Sequence, residues 1–180
     1  MMQSTPRLRT WPARIAFCLF AGLIPESIAT FNNVLRNYIV APATLFFIAA
    51  FYGFADALIR EALIRRRIGW AGILLLGIAF GAINEGIVAV TWFRVVPTGY
   101  TIIDGVDFVW AVALTIFHST ISTVVPIALS QVLFPRIADR SWLGRKGMIT
   151  VGIVLALETS LGFVKATYRI NQVPVIISLS

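Results

Sequence analysis

Charge is scarce in this chain, and so are the residues that most enzymes use to hold metals or to attack substrates. Of 180 residues only 13% are charged, one is a histidine and one a cysteine. The lone Cys18 excludes an internal disulfide and a cysteine-based metal cluster, and it says nothing about redox compartment. The bulky Phe17 before it stands where a bacterial lipoprotein signal needs a small residue, so Cys18 reads as a small packing residue. P-loop, dinucleotide fingerprint, nucleophile elbow and HExxH spacing are all missing, which leaves soluble-cofactor enzymology without a foothold.

What is abundant is apolar surface. Hydrophobic residues make up 58% of the chain and the mean hydropathy is +0.87, against roughly 45–50% apolar residues in soluble proteins. At about 20 apolar residues per spanning helix, most of the length is consumed by spans. The pattern predicts an all-α polytopic membrane bundle, a single transmembrane domain over residues 1–180, with five helices at 11–31, 38–58, 70–92, 108–134 and 147–165. The first resembles a signal peptide, but Pro25-Glu26 stands where a cleavage site needs small residues, so it is read as a span. Beyond Arg169 the run Val173-Pro174-Val175-Ile176-Ile177 is apolar but too short to cross. It is either a surface segment or a partial sixth helix.

Lys and Arg concentrate on cytoplasmic loops, and here their distribution is lopsided. Eleven fall on one side: Arg7, Arg9 and Arg14; Arg60, Arg65, Arg66 and Arg67; Arg136, Arg140, Arg145 and Lys146. Four fall on the other: Arg36, Arg94, Lys165 and Arg169. This predicts a cell-membrane protein with a cytoplasmic N-terminus. Trp11, Trp70, Trp92, Trp110 and Trp142 each fall at an expected span end, the level where amphipathic rings collect. The net charge of +7 raises nucleic-acid binding as an option, but Arg65-Arg66-Arg67 at a cytoplasmic membrane edge is read instead as an anchor for anionic lipid headgroups.

Against this apolar background four proton-bearing side chains lie inside spans: Glu26, Glu85, His118 and Glu158. An ionisable group in hydrocarbon costs several kcal/mol unless it faces protein, water or a partner, so each is a candidate site residue. At 1.5 Å rise per residue Glu85 lies about 12 Å, His118 about 15 Å, Glu26 about 7 Å and Glu158 about 10 Å below the outer edge, one shared depth. Asp56 falls near the cytoplasmic end of its helix with Arg60 one turn on, which predicts a local ion pair.

The surroundings fit inward-facing positions. Gly77 and Gly81 form a GxxxG step continued by Glu85 and Ala89, a stripe that lets another backbone approach and so offers a face to a membrane-protein partner. Thr115, His118, Ser119 and Ser122 make one polar face, and Pro126 removes an amide donor just beyond it. Glu158 is followed by Gly162 and Lys165 at helical spacing. Glu85, His118 and Glu158 are therefore the catalytic candidates, as general base or proton relay. One imidazole with two or three carboxylates also suits a divalent ion, though no ligand spacing specifies one, and metal and cofactor stay undetermined. The plain alternative is a structural hydrogen bond between Glu85 and His118, worth about 0.6 kcal/mol on average in membranes.

The segments YGFADALIREALIRRRIGWAGILLLGIAFGAINEG, FVWAVALTIFHSTISTVVPIALSQVLFP and SWLGRKG resemble an uncharacterised family of prokaryotic polytopic membrane proteins over residues 38–147. The resemblance implies the architecture and points at Glu85 and His118 as motif positions, with no biochemical function to carry over. Members tend to show Glu-Glu where Asn84-Glu85 stands and an acidic residue at Gln131, and they often continue into further helices. A fragmentary resemblance to the CAAX-protease and bacteriocin-processing intramembrane proteases implies Glu85 as base with His118 as its partner. Asn84 replaces the first glutamate of that motif, Ala89 its arginine, and Ser122 the Asn or Asp four places after the histidine.

Three function classes remain open. An intramembrane hydrolase needs Glu85 and His118 to act together on a water. A small transporter, or the substrate-binding subunit of one, would use the same cluster for a solute or proton. An accessory protein would use the cluster for packing and the glycine face for recruitment.

Overall fold

Small residues at four-residue spacing govern how these helices meet. In the computed structural model, which describes residues 10–30, 42–93 and 102–172, α1 (Trp11–Thr30) crosses α2 (Pro42–Arg66) where each offers a glycine. A Cβ on Gly22 would lie 2.9 Å from Ala49 Cα, and one on Gly53 would lie 2.6 Å from Cys18 Cα. Hydrocarbon supplies no hydrophobic force between helices, so close backbone approach of this kind supplies the packing energy.

The third span is α3 (Gly69–Ile83), which continues into a π-helical turn, Asn84–Val88. Val90 then takes φ 54°, a left-handed conformation that is an outlier for a β-branched residue, and a 3-10 turn comes next at Thr91–Phe93. A two-residue antiparallel ladder, β1 (Ile102–Ile103) with β2 (Val106–Asp107), closes through Asp104 and Gly105, both at positive φ. Such an Asp-Gly pair is the usual chemistry of a tight hairpin. Asp107 then caps α4 (Phe108–Phe117), its carboxylate accepting from the Trp110 amide at 3.1 Å.

The fourth span runs from α4 through a second π-helical segment, His118–Val124, into α5 (Val125–Leu133). A short loop with a 3-10 turn at Pro135–Ile137 leads to α6 (Arg145–Gln172). Among the described residues five helices are long and apolar enough to cross a membrane, so the chain is an all-α polytopic bundle. Large side chains such as Phe46, Leu75, Ile116, Val132 and Val164 face outward, as a lipid solvent allows. Phe17, Phe51, Tyr52, Phe80 and Trp142 fill the interior.

Several details differ from the sequence-based expectations. The second helix continues past its expected end at 58 to Arg66, because Arg60 and Glu61, which marked that end, are buried against protein. Trp142 is only 3% exposed. At its span end it is turned into the protein, where Arg60 stacks on its indole at 3.5 Å. The glycine face expected to recruit a partner is occupied within the chain. A Cβ on Gly77 would lie 2.8 Å from Ser119 Cα, and one on Gly81 2.9 Å from His118 Cβ. The apolar run at 173–177 lies outside the described residues, as do Arg7, Arg9, Arg36 and Arg94.

Candidate intramembrane polar site

Both π-helical segments carry site residues at their first positions. A π turn inserts one extra residue into a helix and is found frequently at functional sites. Here the two turns bring Asn84 and Glu85 of one span against His118 of another. His118 Nε2 lies 2.6 Å from Glu85 Oε1, and its Nδ1 lies 2.9 Å from Ser122 Oγ. Asn84 Nδ2 donates to Tyr52 Oη at 3.0 Å and to Glu85 Oε1 at 3.2 Å. Those two bonds use both protons of the amide, so the 3.2 Å contact between Asn84 Nδ2 and His118 Nε2 is a crowded neighbour rather than a third bond.

Thr91 donates its hydroxyl to Glu85 Oε2. The left-handed Val90 reverses the chain between them, so a strained residue supports this bond. Glu85 thus accepts from His118, Asn84 and Thr91, which suits a group whose ionised form offers about four lone-pair sites. Tyr52, Phe80 and Phe117 surround the imidazole with rings centred 5.5–6.1 Å from it. His118 is 2% exposed and Glu85 6%, so the pair is sealed from bulk solvent.

Of the residues singled out from sequence, Glu85 and His118 are joined directly. Glu26 is joined at one remove, since Tyr52 Oη donates to Glu26 Oε1 at 3.4 Å. Glu158 has no hydrogen bond to Glu85 or His118; it is buried on α6 with Oε2 unpaired, near the place where Gly162 presses on Val88. Tyr52 and Asn84, which connect the cluster, were not legible as site residues. One signal existed: Tyr52, Asp56 and Arg60 recur every four residues on an apolar helix, and all three are buried. Among the described residues no three His, Cys, Asp or Glu side chains come together to hold a metal.

A second cluster lies at the other end of α2. Arg60 does not pair with Asp56. Its guanidinium donates to the carbonyls of Ile137 at 3.2 Å, Ala138 at 2.8 Å and Arg140 at 3.2 Å, and stands 3.7 Å from Glu61. Three carbonyls at the end of a loop need donors, and the fork of one arginine supplies them better than a single carboxylate contact would repay. Glu61 accepts from the amides of Trp142 at 2.6 Å and Leu143 at 3.1 Å, and from Ser141 Oγ at 2.6 Å. Arg65 donates to Glu61 at 2.8 Å and also bonds Ser141 and Leu143. Arg65 thus has partners within the protein, and like Arg66 and Arg67 it stays exposed.

These features, five apolar spans with a buried Glu-His pair and a clasped basic loop, can be compared with known proteins. The model of an uncharacterized membrane protein family matches residues 18–180. The chain belongs to that family. No curated protein and no solved structure matches it. The family match covers the clasp and both π-helical segments, and it supports a multi-pass protein in a lipid bilayer.

Proposed function

We propose that this family member is a small proton-handling membrane protein, either a transporter or a transport subunit, in which Glu85 and His118 pass a proton. The observation that carries this reading is that both imidazole nitrogens are engaged, one by a carboxylate at 2.6 Å and the other by a hydroxyl at 2.9 Å. An imidazole so held takes a proton at one nitrogen and releases it at the other, which is the requirement of a relay. Histidine and acid chains in membranes mark such relays. In this reading the protein forms one transmembrane domain in the cell membrane. The excess of positive charge around α2, α5 and α6 puts those ends and the N-terminus in the cytoplasm. Glu85 and His118 then lie in the outer half of the bilayer, and Arg66 and Arg67 meet anionic headgroups.

The order carboxylate, imidazole, hydroxyl also suits a base-activated serine, which is the observation favouring an intramembrane hydrolase. Ser122 is 0% exposed, so a scissile bond has no approach to it without helix separation. That burial favours the proton reading.

The test is proton flux in vesicles containing purified protein, driven by a potassium diffusion potential and followed with an internal pH dye. Wild type is expected to conduct, and His118→Ala and Glu85→Gln to fall to the level of protein-free vesicles. Wild-type vesicles no faster than protein-free ones, at either polarity and with or without candidate solutes, would reject the reading.

A further inference from the structure

Asp56 is fully buried, and neither of its carboxylate oxygens has a hydrogen-bond partner. The group facing it is the hydroxyl of Thr123 on the second π-helical segment, which is likewise buried and unpaired. That hydroxyl is unusual for its helix. Thr115 donates to Ala111 O, Ser119 and Thr120 to Ile116 O, and Ser130 to Ile127 O, the ordinary local habit of hydroxyls in helices. Ser122 and Thr123 depart from it: one is turned to His118 and the next faces Asp56.

A buried carboxylate with one facing hydroxyl that falls short of hydrogen-bond geometry is costly unless it binds something that neutralises it. The obvious counter-charge, Arg60 one turn away, turns its terminal nitrogens to three carbonyls and its face to the Trp142 ring, and its Nε makes no hydrogen bond to Asp56. Of the groups on other elements, the Cys18 thiol of α1 is within electrostatic range of Asp56. His118, Glu85 and Glu26 gather instead around Tyr52, one turn earlier on α2. Next along α2 a mostly apolar cavity of about 130 Å³ takes in Cys18, Phe54 and Ala57, with Arg14 and Glu61 as its charged lining residues; it has room for water, and those two side chains are the polar partners a water there would use. Cys18 thus lines this cavity and stands within electrostatic range of Asp56.

We propose that Asp56 is a second proton-binding site, reached by water from the cavity beside Cys18 and Glu61, and that it exchanges protons with the Glu85 and His118 pair through the hydroxyls of Ser122 and Thr123. The exchange rests on the proton-handling reading above; the proton site itself does not. The path then runs Thr91, Glu85, His118, Ser122, Thr123, Asp56 and the cavity, from one end of the bundle toward the other. Along α2, Tyr52 and Asp56 stand about 6 Å apart in rise, and so do Asp56 and Arg60, so one helix face lines the route.

Infrared spectroscopy of the reconstituted protein reads the site directly. The expected result is a protonated-carboxyl band that shifts in heavy water within the mixing time and is lost in Asp56→Asn, an isostere of the neutral acid that keeps the wild-type melting temperature. In Ala57→Leu, which fills the cavity, the heavy-water shift slows. Asp56→Asn lowers proton flux about tenfold or more, the scale of losing a proton-transfer group. A band that Asp56→Asn leaves unchanged, or one that never exchanges, overturns the site. Loss of the band on adding sodium at fixed pH makes it a cation site and overturns the proton assignment. Unchanged exchange in Ala57→Leu overturns the entry route. Wild-type flux in Asp56→Asn overturns the link to His118 while sparing the relay. An exchanging Asp56 band in a protein with no flux at all rejects the relay and keeps the proton site.

Discussion

His118 Nε2 and Glu85 Oε1 meet at 2.6 Å, and each residue sits at the start of its own π-helical segment, within the first two positions. Two helices therefore depart from α geometry at the place where their ionisable side chains touch. The extra residue in each turn changes which side chains face the partner helix, and the freed geometry is spent on one buried contact.

That contact is expected to be separable from folding. His118→Ala leaves Glu85 with the donors Asn84 and Thr91, so no buried carboxylate is orphaned, and the expected loss is about 1–3 kcal/mol. Thermal melting in detergent should show a lowered but cooperative transition, with helix content retained by circular dichroism. Collapse of the fold would instead assign the pair a structural role.

Glu158 tests the boundary of the site. Counted along the sequence it shares the depth of Glu85, but it makes no hydrogen bond to Glu85 or His118, and its Oε2 is unpaired. Glu158→Gln is therefore expected to keep wild-type proton flux and to change melting little. Loss of flux in this variant would extend the relay onto α6.

The glycine step is an internal joint. Gly81→Ala puts a methyl 2.9 Å from His118 Cβ, and Gly77→Ala puts one 2.8 Å from Ser119 Cα. Both positions force the spans apart, at about 1–3 kcal/mol each. Cross-linking and light scattering should show the same oligomeric state as wild type. A change in assembly without a change in melting would restore the partner-binding face.

The clasp at Arg60 should be the costliest single site to break. Arg60→Lys keeps the charge but loses the planar fork that reaches three carbonyls and stacks on Trp142. Glu61→Ala leaves Arg60 without its buried counter-charge and strips the acceptor from the Trp142 and Leu143 amides, at about 3–5 kcal/mol. Melting temperature and protease cleavage in the 135–144 loop check both. Wild-type resistance in Glu61→Ala would mean that the loop is held by other contacts.

Much of the architecture was legible in the sequence, for a physical reason. Whether a segment spans a membrane depends on summed transfer free energies of its own residues, so length and hydropathy alone were enough for five helices. The shared depth of Glu85 and His118 comes from rise per residue, another local quantity. Which side chains meet across helices depends on rotation about each axis, and here each π turn inserts a residue, rotating the remainder of its helix by about 100°. That phase shift is invisible in composition. It explains why Asn84 could not be read from the sequence as a connecting residue, whereas Tyr52, on a helix without such a turn, left only its four-residue spacing to Asp56 and Arg60.

The same division holds for the charges. The sequence placed Asp56 near the end of one helix with Arg60, Glu61 and Arg65 just beyond it, and four-residue spacing made Asp56 with Arg60 the natural pair. Only the tertiary structure decided otherwise, by folding the 135–144 loop onto that helix end. The loop brought unpaired carbonyls, two amides and an indole face, and buried backbone groups must be satisfied. They claimed Arg60 and Glu61, and left Asp56 alone with Thr123.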